Sequence, residues 1–301
     1  MSDFEQELKC KTEQIEELIR RYLPEEKGFQ KTVLEAMNYS VLAGGKRLRP
    51  LLMQETFRLF GGEGRLVEPF MAAMEMLHTY SLVHDDLPAM DNDEFRRGKL
   101  TTWKKYGEGM GVLAGDALLN HAFETALLAF SFCENEDQTK RVIKALKIFA
   151  GKAGIYGMIG GQTADVEAER TPGELTLDQL MFIHGHKTAA LLEASMMAGA
   201  ILAGADEEET ERIRECAYDI GIAFQIRDDI LDVTGNEKEL GKTVGSDAQN
   251  HKQTYVTIKG MDAAVKDTDD FSGKAVAILE DVGGESEFLQ WLVKQLVDRR
   301  K

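Results

Sequence analysis

Apolar residues recur at the spacing of an α-helix through nearly the whole chain, which limits the folds open to it. Near the N-terminus such a stripe is formed by Phe4, Leu8, Ile15, Leu18, Ile19 and Tyr22. Long helices are predicted at 66–86, 108–132, 136–168, 176–203 and 206–233, with shorter ones at 33–41, 47–60 and after 251. The alternation of apolar and polar residues that marks a strand does not persist beyond a few residues. The pattern therefore predicts an all-α protein.

No linker divides this helical pattern. Proline- or serine-rich stretches and changes of composition are missing from the 301 residues. A βαβ fold, which is common at this length, would need strands that the pattern does not supply. We therefore predict one all-α domain over residues 1–301. The segment 189–205 is apolar on nearly every side, so we expect a buried helix there.

Charge and cysteine content narrow the function and the location. The formal net charge of −16 argues against a nucleic-acid partner, which needs a positive surface. Cys10, Cys133 and Cys216 are widely spaced and form no metal-binding pattern, which favours a reducing compartment. The N-terminus lacks an apolar signal core, and segment 189–205 is short for a membrane span and contains Glu193. We predict a cytoplasmic protein without a membrane span.

A cluster of acids lies within the helix predicted at 206–233. Asp228, Asp229 and Asp232 are three and four residues apart, so their carboxylates share one side of the helix. Like charges placed in this way repel, and their neighbours Ile226 and Ile230 are apolar rather than those of a solvated face. A cation would relieve the repulsion, and a set of oxygen ligands favours magnesium.

A second acid cluster begins where the helix predicted at 66–86 ends. On an unbroken helix Asp86 and Asp91 would point in different directions, about 140° apart. Pro88 disfavours the helical conformation at Leu87, so the helix should end near Asp86 and the chain can turn Asp91 back. Asp85, Asp86 and Asp91 can then converge on a metal. If the two acid clusters face each other, they can hold one polyphosphate through several magnesium ions.

Basic residues are placed to bind phosphate. Gly44-Gly45-Lys46-Arg47-Leu48-Arg49 is a glycine turn that opens a helix, with three cations in four residues. Backbone N–H groups at a helix N-terminus favour an anion, and arginine binds phosphate as a two-pronged donor. Further candidates are Arg96, Arg97, Lys187, Lys242 and Lys252.

Six motifs follow one another in a recognisable order. They are Gly44 to Pro50; Asp85 to Asp91 with Arg96-Arg97-Gly98; Gly160-Gly161-Gln162; Lys187-Thr188; Phe224 to Asp232; and Gly241-Lys242 with Gly245-Ser246-Asp247 to Tyr255. From residue 29 to 258 the chain resembles the bacterial-type short-chain trans-prenyltransferases of the polyprenyl synthase family, in particular those that make farnesyl diphosphate. Glu94-Phe95 departs from the usual Asp-Leu and touches no expected metal ligand.

The resemblance implies a role for each matching residue. Magnesium ligands are implied at Asp85, Asp86, Asp91, Asp228, Asp229 and Asp232. The allylic diphosphate would be held by Arg96, Lys187 and Lys242. Isopentenyl diphosphate would be bound by Lys46, Arg49, His78 and Arg97, with further substrate contacts at Gly45 and Lys252. Thr188 and Gln225 would face the reacting carbons, which places both in the catalytic set.

The resemblance also implies a fold, a reaction and an assembly. The fold is a single-domain helical bundle around a central cavity, which acts as a homodimer. The reaction condenses isopentenyl diphosphate with dimethylallyl and geranyl diphosphates to give (2E,6E)-farnesyl diphosphate, with several magnesium ions. Tyr80 and Ser81, five and four residues before Asp85, would form the floor that sets the product length at C15.

Other interpretations of the sequence stay open beside this one. A geranylgeranyl or geranyl diphosphate synthase would differ in product length. A terpene cyclase would share the metal chemistry without needing an isopentenyl site, and a non-catalytic subunit of a heteromeric enzyme would keep the fold but lose an aspartate motif. Glu75-x-x-His78 has the spacing of a di-iron site, but no second copy of that pair occurs.

Overall fold

The fold is built almost entirely of helices. The computed structural model describes residues 3–170, 175–234, 253–284 and 286–298. In the first half of the chain the helices are α1 (Asp3–Tyr22), α2 (Lys31–Val41), α3 (Leu48–Leu59), α4 (Glu68–Asp85), α5 (Thr102–Tyr106) and α6 (Glu108–Leu127). In the second half they are α7 (Glu136–Ala153), α8 (Met158–Arg170), α9 (Leu177–Ile183), α10 (Ala190–Ala203), α11 (Glu207–Thr234), α12 (Tyr255–Lys259), α13 (Met261–Val282) and α14 (Glu287–Asp298). The predicted all-α class is confirmed.

The chain forms two compact units. The first contains Met1–Gln54 and Glu63–Ile143, and the second contains Glu55–Gly62 and Lys144–Lys301. Helices α3 and α7 each contribute residues to both units. The single domain expected over residues 1–301 stays a prediction.

Helix α4 is the core of the first unit. It packs against α1, α2 and α6, and its residues from Pro69 to Leu77 are all buried. Close packing on α6 depends on small residues, because a Cβ on Gly115 would lie 2.0 Å from Nε2 of His84. The acidic end of α4 is therefore fixed by burial along almost the whole helix.

Helices α10 and α11 organise the second unit. As predicted, α10 is buried on all sides from Ala190 to Leu202. Its one acid, Glu193, forms an ion pair with Lys152 of α7, which compensates a buried carboxylate. Helix α11 packs on α10 and α13, and a Cβ on Gly221 would lie 2.4 Å from Cβ of Ala189.

Two of the long helices predicted from periodicity are interrupted. The segment 136–168 divides into α7 and α8 at a turn in which Gly157 N–H donates to the carbonyl of Gly154. The segment 176–203 contains a π-helical turn, His184–Ala189, between α9 and α10. A short antiparallel hairpin, β1 (Phe95–Arg96) and β2 (Lys99–Leu100), was also not predicted. In the described part of the chain, no helix has the combined length and apolarity to cross a bilayer.

Candidate active site

The end of α4 takes the shape predicted from Pro88. The helix ends at Asp85, with Asp86 as its C-terminal cap. The chain then turns so tightly that the N–H of Asp91 donates to the carbonyl of Asp85 over 2.8 Å, and the N–H of Met90 donates to the carbonyl of Leu87. The backbone of Asp91 is thereby brought back beside Asp85, as expected for two carboxylates that serve one metal ion.

Asp86 is held by an arginine from the hairpin. Nε and a terminal nitrogen of Arg96 lie 2.8 and 2.7 Å from Oδ1 of Asp86. Burial raises the pKa of Asp86, and the guanidinium of Arg96 opposes that rise. The hairpin therefore presents Arg96 to the acid cluster, so that two of the predicted site residues contact each other.

The glycine turn before α3 packs under the second hairpin arginine. Gly44 and Gly45 have φ values of 101° and 142°, and Arg97 donates to the carbonyl of Gly44. A Cβ on Gly45 would lie 2.6 Å from a terminal nitrogen of Arg97. The positive φ of Gly45 favours glycine at this turn, and the absence of a Cβ lets the Arg97 guanidinium lie against it, next to Lys46 of the predicted isopentenyl site.

Burial shifts the pKa values of Arg49 and His78, two of the residues predicted to bind isopentenyl diphosphate. Nε of Arg49 is buried and makes no hydrogen bond to any residue that the structure describes. Burial, together with the charge of Arg97, lowers the pKa of Arg49 to about 10, although Glu75 opposes the shift. Burial and the charges of Arg49 and three other arginines hold the pKa of His78 well below its ordinary value, so its imidazole is neutral. A buried Nε–H of arginine that lacks a partner is a strong donor for an anion.

Arg47, which the sequence placed among the phosphate-binding cations, is a buried structural residue. Its Nε lies 2.6 Å from Oε1 of Glu16, one terminal nitrogen lies 2.6 Å from Oε1 of Glu75, and the other donates to the carbonyl of Val41. This also explains Glu75 in the Glu75-x-x-His78 pattern. The contacts of Arg47 with Glu16 and Glu75 could not be predicted from local sequence patterns, because these residues are 31 and 28 positions away.

The second unit places Lys187 and Thr188 on the π-helical turn. Nζ of Lys187 lies 2.5 Å from Oδ2 of Asp165, a buried residue of α8. A Cβ on Gly161 of α8 would lie 2.1 Å from the backbone nitrogen of Lys187. Asp165 was not predicted from the sequence. It lies only three residues after Gly160-Gly161-Gln162, and that motif could have indicated it.

Thr188 and Gln225 contact each other. The hydroxyl of Thr188 donates to Oε1 of Gln225 over 2.9 Å. Gln225 lies on α11 one turn before Asp228 and Asp229. The polar groups expected at the reacting carbons therefore form one contact.

The acids of α11 differ in burial. Asp229 and Asp232 are buried, whereas Asp228 is partly exposed. Oδ2 of Asp229 accepts from the N–H of Tyr255, the first residue of α12, over 2.7 Å and lies 3.9 Å from Nε2 of His184. Asp228 is thus the most accessible of the three carboxylates.

The side chains of the two aspartate motifs suit magnesium, because they offer oxygen donors. Among the described residues, no group of three or more His, Cys, Asp or Glu side chains forms a ready metal cage. Magnesium typically uses one or two carboxylates and completes its shell with water and phosphate oxygens. Asp85 with Asp91 in the first unit, and Asp228 in the second, offer oxygen donors of that kind.

The predicted product floor lies in the first unit, within the core of α4. The Tyr80 ring is 5% exposed and meets His84 edge to face, with the ring centroids 5.9 Å apart. Its hydroxyl is buried and has no hydrogen-bond partner in the described part of the chain, and burial raises the pKa of Tyr80 to about 12. The hydroxyl of Ser81 donates to the carbonyl of His78. Lys242 and Lys252 lie outside the described residues.

Comparison with known proteins decides the family. The model of the polyprenyl synthetase family matches residues 30–282. The chain belongs to the polyprenyl synthetase family. Among related polyprenyl synthetases, a farnesyl diphosphate synthase of Geobacillus stearothermophilus is 44% identical over 86% of each chain. The heterodimeric geranylgeranyl pyrophosphate synthase large subunit 1 of Arabidopsis thaliana is 50% identical over 76% of this chain, which spans 61% of that protein.

Solved structures agree with this assignment to the polyprenyl synthetases. An apo FPP/GFPP synthase from Zymomonas mobilis superposes with a TM-score of 0.86 at 30% identity, covering 98% of this chain and 99% of that one. A geranyltransferase from Helicobacter pylori, solved with magnesium and isoprenyl diphosphate, gives a TM-score of 0.82 at 32% identity, covering 99% and 97%. The predicted family and fold are confirmed.

Proposed function

We propose that this protein is a trans-prenyltransferase that condenses isopentenyl diphosphate with dimethylallyl and geranyl diphosphates. The observation that carries the proposal is the partly buried Arg49, whose buried Nε has no hydrogen-bond partner among the described residues and lies near neutral His78. Such a group suits a diphosphate anion. Relatives named as farnesyl and geranylgeranyl diphosphate synthases, and the geranyltransferase solved with magnesium and isoprenyl diphosphate, support the same reaction.

The residues of this chain divide the work of the reaction. Lys46, Arg49, His78 and Arg97 bind isopentenyl diphosphate, with Gly45 allowing the close approach. Arg96 and Lys187 bind the allylic diphosphate, and their fixed charges stabilise the pyrophosphate that leaves. Lys242 is proposed to bind the allylic diphosphate as well, and Lys252 to make a further substrate contact, because both match motifs of the family.

Magnesium is proposed at both aspartate motifs. The ligands would be Asp85, Asp86 and Asp91 of the first motif and Asp228, Asp229 and Asp232 of the second, with several magnesium ions bound. Bound magnesium supplies electrostatic stabilisation of the charge on the departing pyrophosphate. In the described residues, Asp86 contacts Arg96 and Asp229 accepts from the N–H of Tyr255, so these two ligands would be held in place by the protein.

The carbon chemistry needs polar groups that do not react with a cation. The allylic carbon–oxygen bond breaks to give pyrophosphate and a delocalised allylic cation, which the oxygen dipoles of Thr188 and Gln225 stabilise. The double bond of isopentenyl diphosphate then attacks this cation, and the proton lost in forming the new double bond passes to pyrophosphate. Apolar walls keep water from quenching the cation.

Farnesyl diphosphate is the proposed product. The aromatic ring of Tyr80, buried in α4, supports a floor that ends the cavity at C15. The match to a geranylgeranyl pyrophosphate synthase large subunit makes C20 the second candidate. A cytoplasmic location, a single domain and a homodimer are part of the same proposal and rest on the sequence and the family resemblance.

One incubation tests the proposal and its alternatives. The pure protein is supplied with isopentenyl and dimethylallyl diphosphates plus magnesium, and the products are separated by chain length. A C15 diphosphate is the expected result, and a C20 or C10 product would correct the length. A cyclic hydrocarbon in place of a longer diphosphate, or no turnover, would overturn the proposal.

A further inference from the structure

Arg47 is a fully buried cation at the centre of the first unit. Its side chain has 0% exposure, although it stands between Lys46, which is exposed, and the helix that contains Arg49. A buried guanidinium is costly unless its donors are satisfied, and here three acceptors do so. They come from Glu16 of α1, Glu75 of α4 and the carbonyl of Val41 at the end of α2.

The geometry of these contacts requires arginine. The planar guanidinium donates in three directions to acceptors that belong to three different helices, whereas a lysine ammonium is a single point at the end of a flexible chain. Arg47 also has a φ of 49°, a left-handed conformation that is uncommon for a residue with a Cβ. This conformation turns the chain between the glycine turn and α3, and the buried side chain holds it there.

Glu75 links this ion pair to the anion site. It lies on α4 one turn before His78, and its side chain is 3% exposed. Its negative charge favours the protonated forms of both Arg49 and Arg97, which raises their pKa values against the effect of burial. The carboxylate that anchors Arg47 is therefore also the nearby counter-charge for the cations proposed to bind phosphate.

We propose that Arg47, clamped by Glu16 and Glu75, is a positioning residue that fixes Lys46, Arg49 and His78 for isopentenyl diphosphate without touching it. The inference rests on the proposed function of these three residues. It also gives the N-terminal helix α1 a role in substrate affinity through Glu16. The effect is specific for one of the two substrates, because Lys187 and Thr188 are held by Asp165 and Gln225 instead.

Two substitutions test the ion pairs of Arg47. Arg47→Lys keeps the positive charge and removes the planar guanidinium, and Glu16→Gln keeps the shape of the side chain and removes its negative charge. Glu13→Gln is the matched control, because Glu13 lies on the same helix and its side chain is 68% exposed. Its described ion pair is with Lys9, which is also exposed. Steady-state kinetics are measured with isopentenyl and geranyl diphosphates varied separately, and isopentenyl diphosphate binding is measured by calorimetry without magnesium.

The two readouts separate positioning from a general loss of structure. For Arg47→Lys we expect the KM for isopentenyl diphosphate, and its dissociation constant, to rise on the order of tenfold, the scale for one charge-assisted hydrogen bond. The KM for geranyl diphosphate and the kcat of the folded enzyme should change by less than about twofold, within the range of an exposed substitution. Glu16→Gln should shift affinity in the same direction by a smaller factor, and Glu13→Gln should change neither constant.

Other results would overturn the inference. If Arg47→Lys folds and binds isopentenyl diphosphate normally, or if both KM values rise together, Arg47 does not position this site. If Arg47→Lys does not accumulate as folded protein, Glu16→Gln decides alone, and unchanged affinity in that variant refutes the clamp. Lys46→Ala and Arg49→Ala distinguish the two proposals, because normal isopentenyl diphosphate affinity in both would instead refute the proposed function of the site.

Discussion

Nζ of Lys187 lies 2.5 Å from Oδ2 of Asp165, so the lysine proposed to bind the allylic diphosphate is held by a buried carboxylate from a neighbouring helix. Asp165→Asn should leave Lys187 without its charged partner and raise the KM for geranyl diphosphate on the order of tenfold. Glu167→Gln, an exposed change on the same helix, is the control. The KM values for geranyl and isopentenyl diphosphates are measured separately. An unchanged KM for geranyl diphosphate in Asp165→Asn would contradict this role.

Gly161→Ala should disturb the π-helical turn. The new Cβ would lie 2.1 Å from the backbone nitrogen of Lys187 and 2.6 Å from the carbonyl carbon of His186, so backbone would have to move. We expect a loss of about 1–3 kcal/mol in the free energy of unfolding, as for an overpacked core. Gly151→Ala on α7 meets nothing within 4 Å and should gain about 0.5–1 kcal/mol through helix propensity. Urea unfolding compares the two variants, and equal midpoints would show that the turn tolerates the displacement.

The aspartates proposed to bind magnesium should be needed for turnover. Asp85→Ala and Asp228→Ala should each lower kcat on the order of 10²-fold or more, the scale for the loss of one preorganised electrostatic element. Asp137→Ala, which removes an exposed partner of Arg141, should have no such effect. Turnover is measured over a range of magnesium concentrations, and near-normal kcat in both site variants would refute the metal assignment.

Tyr80 offers a matched pair of substitutions. Tyr80→Ala should open the floor and give products longer than C15, at a cost of about 3–5 kcal/mol for the buried ring. Tyr80→Phe keeps the ring and removes a buried hydroxyl for which the described residues supply no hydrogen-bond partner, so stability should be equal or higher by about 1 kcal/mol. Chain-length analysis of the products checks both. Unchanged C15 product from Tyr80→Ala would place the floor elsewhere.

Asp219 makes stability depend on pH. Burial raises its pKa to about 6, and the charge of Lys274 opposes this incompletely. The folded state therefore holds a proton that the unfolded state has lost between about pH 4 and pH 6, and the free energy of unfolding falls as pH rises through this range. Because Asp219 is partly exposed, we expect Asp219→Asn to be more stable by about 1–2 kcal/mol at pH 8 and equal below pH 4. Thermal unfolding from pH 3.5 to 8 measures the difference, and parallel curves would argue against the shift.

Helical periodicity predicted most of the fold because burial of one face was repeated in nearly every element. It failed between α7 and α8, where Ala153, Ile155, Tyr156 and Met158 continue the apolar composition. Ile155 is 68% exposed and Tyr156 is 88% exposed, so these apolar side chains belong to a turn and not to a buried face. Composition alone does not distinguish those two cases.

The candidate site, too, was predicted only where its structure depends on residues close together in the sequence. Pro88 and the aspartate spacings predicted the turn after α4, because proline acts on its nearest neighbours. The burial of Arg47 depends on Glu16 and Glu75, which are 31 and 28 residues away, and the partner of Lys187 is 22 residues away. Such long-range pairs are fixed by how helices pack, and one sequence does not show that packing.

The π-helical turn His184–Ala189 also constrains how the chain can change in length. Each residue of an α-helix advances the direction of the side chains by about 100°, and a π turn accommodates an extra residue within the same helix. Deleting one residue from 184–189 would restore an uninterrupted α-helix and rotate either Lys187 or its neighbours away from Asp165 and Gln225. Insertions and deletions in this stretch should therefore disrupt the contacts of Lys187 and Thr188, even where both flanking helices still form.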